Sequence, residues 1–162
     1  MTIPETLSEP ILSTTTTEDI ETLDHVQEIE AVIGSLAVDQ KVMVGHSDEG
    51  YLWKFKYGSV EVFVQLTGIN DEDTLTVWSF VLPLPAKNEA QLFRKLLEMN
   101  WLTTFEARFG IVDDHVVILS TRTVAELSPG EISRAITIVA TLADENDEAL
   151  RAEFGESKLN NG

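Results

Sequence analysis

The chain has 162 residues, 43% of them hydrophobic and none of them Cys, so a single domain with one real core is expected, without disulfides or a thiolate metal site. Its 28 acidic residues against 11 basic ones give a formal net charge of −17. A surface so negative repels phosphate backbones and anionic headgroups, which argues against nucleic-acid and membrane partners. The acid is concentrated at the ends, with nine acids and no bases in residues 1–40 and eight acids against three bases in residues 126–162. Solubility is the simplest reading of that excess, and a basic partner is not required. No apolar run approaches the ~20 residues that span a bilayer, and Met1 to Thr6 lack the basic stretch and apolar core of a signal peptide. A cytoplasmic address is expected.

Residues 1–16 hold two of the five prolines and a Thr run without sustained periodicity, and they read as a mobile leader to a domain over 17–155, with a polar tail over 156–162. From Thr17 the apolar residues Ile20, Leu23, Val26, Ile29, Val32, Ile33 and Leu36 recur at three- and four-residue spacing. That period predicts an amphipathic helix, started by Thr15 with Glu18 or by Thr16 with Asp19.

Between Lys41 and Leu82 the period falls to two. Tyr51, Trp53, Phe55 and Tyr57 alternate with Leu52, Lys54 and Lys56, and Val60, Val62, Val64 and Leu66 follow after a Gly58-Ser59 turn. A third strand runs from Leu75 to Leu82 after the polar turn Asn70-Asp71-Glu72-Asp73, and a weaker strand from Val42 to His46 precedes the set. Short connections make these neighbours antiparallel, and Pro83 and Pro85 end the run.

Asn88, with Gln91 three residues on, predicts the start of a second helix carrying Leu92, Phe93, Leu96, Leu97 and Trp101, with Asn100 as a left-handed terminus. Ala107 to Ile111 and Val116 to Leu119 flank Asp113-Asp114-His115 as a hairpin. Ser128-Pro129-Gly130-Glu131 then places Ser at the N-cap, Pro at the first helical position and Glu at the third, opening a last helix with Ile132, Ala135, Ile136, Val139, Leu142 and Ala143. The order α-β-β-β-(β)-α-β-β-α defines an α+β fold with an antiparallel twisted sheet and three helices. It lacks the βαβ alternation of a parallel nucleotide-binding sheet.

Candidate chemistry is sparse. His25, His46 and His115 fall on a helix, near a strand end and in a turn, without metal-ligand spacing or a general-base context. His46-Ser47-Asp48 contains triad residue types, but sequence adjacency is not triad geometry. Asn70 to Asp73 offers oxygen ligands yet lacks the glycine and distal glutamate of an EF-hand loop, so a solvated turn is the better reading. No phosphate-binding loop is present. Neither a metal site, a cofactor nor a catalytic residue is therefore expected.

The segment from residue 88 to 155 is similar to the second half of the YbjN family, bacterial proteins labelled sensory transduction regulators. The resemblance rests on Asn100 after an apolar helix, Arg108-Phe109-Gly110-Ile111 before an acidic turn, Leu127-Ser128 opening the last helix, and Ala143-Asp144 within it. In one departure the turn reads Asp113-Asp114-His115, where that family often has Asp and Gly. The resemblance implies a type III secretion chaperone-like fold, in which helices pack on a twisted antiparallel sheet and two copies commonly pair.

Two surfaces are candidates for binding. If Trp53, Phe55, Val62 and Val64 face the helices, then Leu52, Lys54, Phe63, Trp78 and Phe80 face the other way and form a half-apolar partner-binding face, with Lys54 able to anchor a carboxylate. In the competing arrangement the second helix folds over these residues and they are ordinary core. Leu92, Phe93, Leu96 and Trp101 exceed what one narrow stripe requires, which predicts a homodimer interface on the second helix. The expected function is a non-enzymatic, chaperone-like or regulatory module that binds a protein client; the alternative is a structural subunit or assembly factor of a larger complex.

Overall fold

The computed structural model describes residues 17–39, 42–48 and 50–156. Three helices and six strands follow in the order α1 (Thr17–Leu36), β1 (Met43–Ser47), β2 (Gly50–Tyr57), β3 (Val60–Leu66), β4 (Thr74–Pro83), α2 (Glu89–Leu102), β5 (Arg108–Val112), β6 (His115–Thr123) and α3 (Pro129–Phe154). The expected α+β class, its element order and the weaker first strand are all present. The leader, the Thr15 and Thr16 caps, the side chains of Ile20 and Leu23, and residues 157–162 lie outside the described residues.

The strands form one antiparallel sheet in the order β1-β2-β3-β4-β6-β5, so only the β4-to-β6 step leaves chain order, with α2 and β5 inserted between them. Alternation decides its two faces. Trp53, Phe55, Val62, Val64, Val77 and Ile118 all point to one side and are buried. They share a core with Ile29, Val32 and Ile33 of α1, Leu92 and Leu96 of α2, and Ile132, Ile136, Val139 and Phe154 of α3.

Local signals account for the helix ends. At the start of α3, Ser128 in extended conformation accepts from the Glu131 backbone N–H at 3.2 Å and donates its hydroxyl to Glu131 Oε1 at 3.1 Å, with Pro129 at the first position. At the start of α2, Asn88 occupies the N-cap position, but its φ of 50° is left-handed and its side chain makes no cap bond. Side-chain capping needs an extended N-cap, so the expected amide cap does not form. Asn100 is not a left-handed terminus either. It lies inside α2, accepting from the Phe109 N–H at 2.7 Å and donating to the Phe109 carbonyl at 3.3 Å. One side chain thus occupies both backbone groups of Phe109 on the edge strand.

The two-residue turns follow their chemistry. Asp113 and Asp114 both adopt positive φ, 49° and 55°, as the tight β5–β6 turn demands. Gly58, at φ 55°, turns β2 into β3 beneath α3; a Cβ there would lie 2.1 Å from Asp144 Oδ1.

Candidate functional site

The face of the sheet opposite the helices carries the candidate site. Strand register places Lys54 against Phe63, Phe63 against Trp78, Trp78 against Leu119, and Leu119 against Arg108, a single row across five strands. Leu52 lies on β2 in the adjacent row, paired with Gln65 of β3, and Phe80 pairs with Val117 two residues along. The groove is lined chiefly by Leu52, Phe63, Trp78, Phe80, Val117 and Leu119, with Gly110 and the turn residue Asp113 at its β5 side. A Cβ on Gly110 would meet Leu119 Cδ2 at 3.3 Å, so the absent side chain keeps that end of the groove open.

Aromatic packing sets this surface in a fixed geometry. Phe63 and Trp78 stack with centroids 5.3 Å apart, Phe80 meets Phe63 edge-on at 5.8 Å, and His115 meets Phe80 edge-on at 5.1 Å. Each such contact is worth about 0.5–1.5 kcal/mol beyond area burial, enough to hold the rings ready rather than loose. All three aromatics stay partly exposed and Leu52 is 40% exposed. Lys54 Nζ sits 5.8 Å from the Phe63 ring centre and 3.1 Å from Glu61 Oε2. Leu52, Lys54, Phe63, Trp78 and Phe80 therefore share one face, which no described helix covers. The competing arrangement, with α2 over these residues, is excluded: α2 packs on the other face, through Leu92 and Leu96.

The second helix divides differently from expectation. Leu92 and Leu96 are buried in the core at 0% and 5% exposure, and Phe93 is half-buried against it, because these three make up the stripe that α2 lays beside β5 and α3. Of the four residues expected at an interface only Trp101 is freely exposed, at 87%. Leu97, Leu102 and, beyond the helix, Phe105 are exposed with it, and sequence reasoning did not single out the last two. Leu97 and Trp101, four apart, share one side of the helix, but helical spacing reaches neither Leu102 on that side nor Phe105, which lies past the last turn at φ 54°.

A cleft between β6 and α3 holds Arg122 and Arg134 with Glu106 and Glu131, but its charges are spent on one another. Arg122 pairs with Glu131, and Arg134 Nε donates to Glu106 Oε1 at 2.7 Å. That hydrogen bond holds the Glu106 carboxyl below the usual carboxylate range and pushes Arg134 up. Among the described residues no three His, Asp or Glu side chains are grouped to hold a metal ion, and no helix is long and apolar enough to cross a membrane.

Solved structures share this architecture at low identity. The ExsC-ExsE complex matches with a TM-score of 0.58 and 16% identity over 80% of this chain and 95% of that one. The HopA1-SchA chaperone-effector complex matches with a TM-score of 0.52 and 12% identity over 80% and 98%. The Yersinia pestis type III secretion chaperone SycH, in complex with a fragment of YscM2, matches with a TM-score of 0.49 and 15% identity over 75% and 95%. The fold is shared with the ExsC-ExsE complex and the HopA1-SchA chaperone-effector complex. By its sequence the chain belongs to the YbjN family, described as "Putative bacterial sensory transduction regulator", whose model matches residues 25–152. No curated protein matches it.

Proposed function

We propose that this protein is a non-catalytic, chaperone-like or regulatory binding module that captures a client segment on the open face of its sheet. The observation that carries the reading is the stacked Phe63–Trp78 pair, edged by Phe80, on a sheet face that no described helix covers. A contiguous half-exposed aromatic surface suits side-chain burial rather than proton transfer, and preorganised rings lower the cost of binding. The two complexes that share the fold, one of them a chaperone-effector complex, lend support, since both contain a bound protein partner. A second copy of the chain would pair through Leu97, Trp101 and Leu102 on the outer side of α2, leaving the sheet face free.

Cross-linked affinity purification from the source cells tests the client reading, with wild type set against a Phe63→Ala/Trp78→Ala variant whose circular dichroism matches it. A defined protein recovered with the wild type and lost with the variant is the expected result. Equal recovery from both moves the site off the sheet. An obligate subunit, the alternative, would be recovered in a fixed-stoichiometry complex that does not exchange.

A further inference from the structure

The open sheet face has a charge pattern unlike the rest of the molecule. Among the described residues, Lys56, Lys87 and Arg108 are the cations without an ion pair, the other six being matched to Asp or Glu. Two of these three, Lys56 and Arg108, project from the face that carries Phe63 and Trp78. Lys54, on the same face, is paired to Glu61, which also stands opposite Lys56 in register without forming an ion pair to it. Against these cations stand Glu61 and Asp113, which lines the groove, so a chain with a net charge of −17 carries three cations against two carboxylates around its aromatic row.

We propose that the segment bound on this face is itself acidic at both ends and apolar between them, its carboxylates meeting Lys54 and Lys56 on one side and Arg108 on the other. The inference rests on the sheet-face reading above and names the partner's chemistry. Lys54 and Arg108 are four strand spacings apart, about 19 Å at ~4.8 Å each, the length of about six residues of extended chain. Acidic residues six positions apart would therefore reach both rims while the side chains between them lie on Phe63, Trp78 and Leu119. Net charge alone argues for a basic partner. Within a Debye length of ~8–10 Å, however, Lys54, Lys56 and Arg108 outnumber Glu61 and Asp113 on this face, while acids on the far side of the fold are screened. Arg108 offers a fork that suits bidentate carboxylate recognition.

Three fluorescein-labelled heptapeptides with the same centre, Leu-Phe-Ser-Val-Leu, flanked at both ends by Glu, Gln or Lys, test it against the full chain by anisotropy. At low salt the Glu-flanked peptide is expected to bind about tenfold more tightly than the Lys-flanked one, with the gap narrowing as salt rises. A Lys54→Glu/Arg108→Glu variant is expected to invert that order, and Trp78→Ala to weaken all three peptides alike. Affinities indifferent to the flanks but lost with Trp78→Ala would overturn the charge inference and leave sheet docking standing. A flank preference that survives the double reversal would overturn it too. No binding of any peptide would end both readings.

Discussion

Asp144 shows how one side chain fixes a turn. It accepts from the Ser59 backbone N–H at 2.9 Å, while the single proton of the Ser59 hydroxyl is shared among Asp144 Oδ1 at 3.0 Å and both oxygens of Asp147 at 2.9 Å. Asp147 is fully buried, and its other partner, Arg151, stands 3.7 Å away. Ser59→Ala strips a buried carboxylate of its nearest donor, whereas Asp144→Ala removes a half-buried acceptor. The former is expected to cost about 3 kcal/mol and the latter about 1 kcal/mol. Urea unfolding of both variants checks the order, and a larger loss from Asp144→Ala would contradict it. At the β5–β6 turn the strain runs the other way. Asp114 is held at φ 55°, a conformation glycine adopts freely, so Asp114→Gly is expected to stabilise by about 1 kcal/mol and raise Tm by about 2–4 °C in a thermal melt. Titration adds a smaller effect. Because Arg134 lowers the folded-state pKa of Glu106, their pairing supports the fold above the ordinary value of 4.5 and is lost as pH falls through the lower folded value. Both groups are exposed, so the loss is small.

At the scale of elements, strands were more legible than helix faces. A period of two admits only two phases, and the alternation of Trp53 and Phe55 with Leu52 and Lys54 already separated the two faces of β2. What alternation alone left undecided was which face the helices cover, a matter of tertiary packing. Ser128 to Glu131 announced α3 correctly because an extended Ser before Pro satisfies the cap geometry by itself. The second helix was harder. Leu92, Phe93, Leu96, Leu97, Trp101 and Leu102 wrap more than half of its circumference, so spacing could not tell the buried stripe of Leu92 and Leu96 from the exposed side of Leu97 and Trp101. Asn100 misled for a related reason: nothing local reveals that its amide is committed to Phe109, nine residues away. Gly110 belongs to this scale as well, since its missing side chain shapes the groove rather than the backbone. Gly110→Val is expected to crowd Leu119, close the β5 end of the groove and reduce client capture several-fold while the melting temperature stays within a few degrees of wild type. Unchanged capture in pull-downs would place the client elsewhere on the sheet.

For the molecule as a whole, net charge and apolar surface oppose each other. A pair of chains that meets through the outer side of α2 buries Leu97, Trp101 and Leu102, three large side chains exposed at 68%, 87% and 72%. At about 25 cal/mol per Å² the aromatic and aliphatic area on both copies favours association by several kcal/mol. Against this, each copy carries a net charge of −17, and repulsion between two such bodies acts mostly through water and is screened by salt. Pairing is therefore expected to strengthen between 50 and 500 mM NaCl, the reverse of an assembly held by ion pairs. Sedimentation equilibrium across that range reads it directly. Trp101→Glu adds a charge where the apolar area is greatest, without touching the buried Leu92 and Leu96, and should leave a folded monomer at every salt concentration. A wild-type mass that falls as salt rises would mean that charge pairs, not the α2 surface, hold the copies together, and a Trp101→Glu dimer would mean that the seam lies elsewhere.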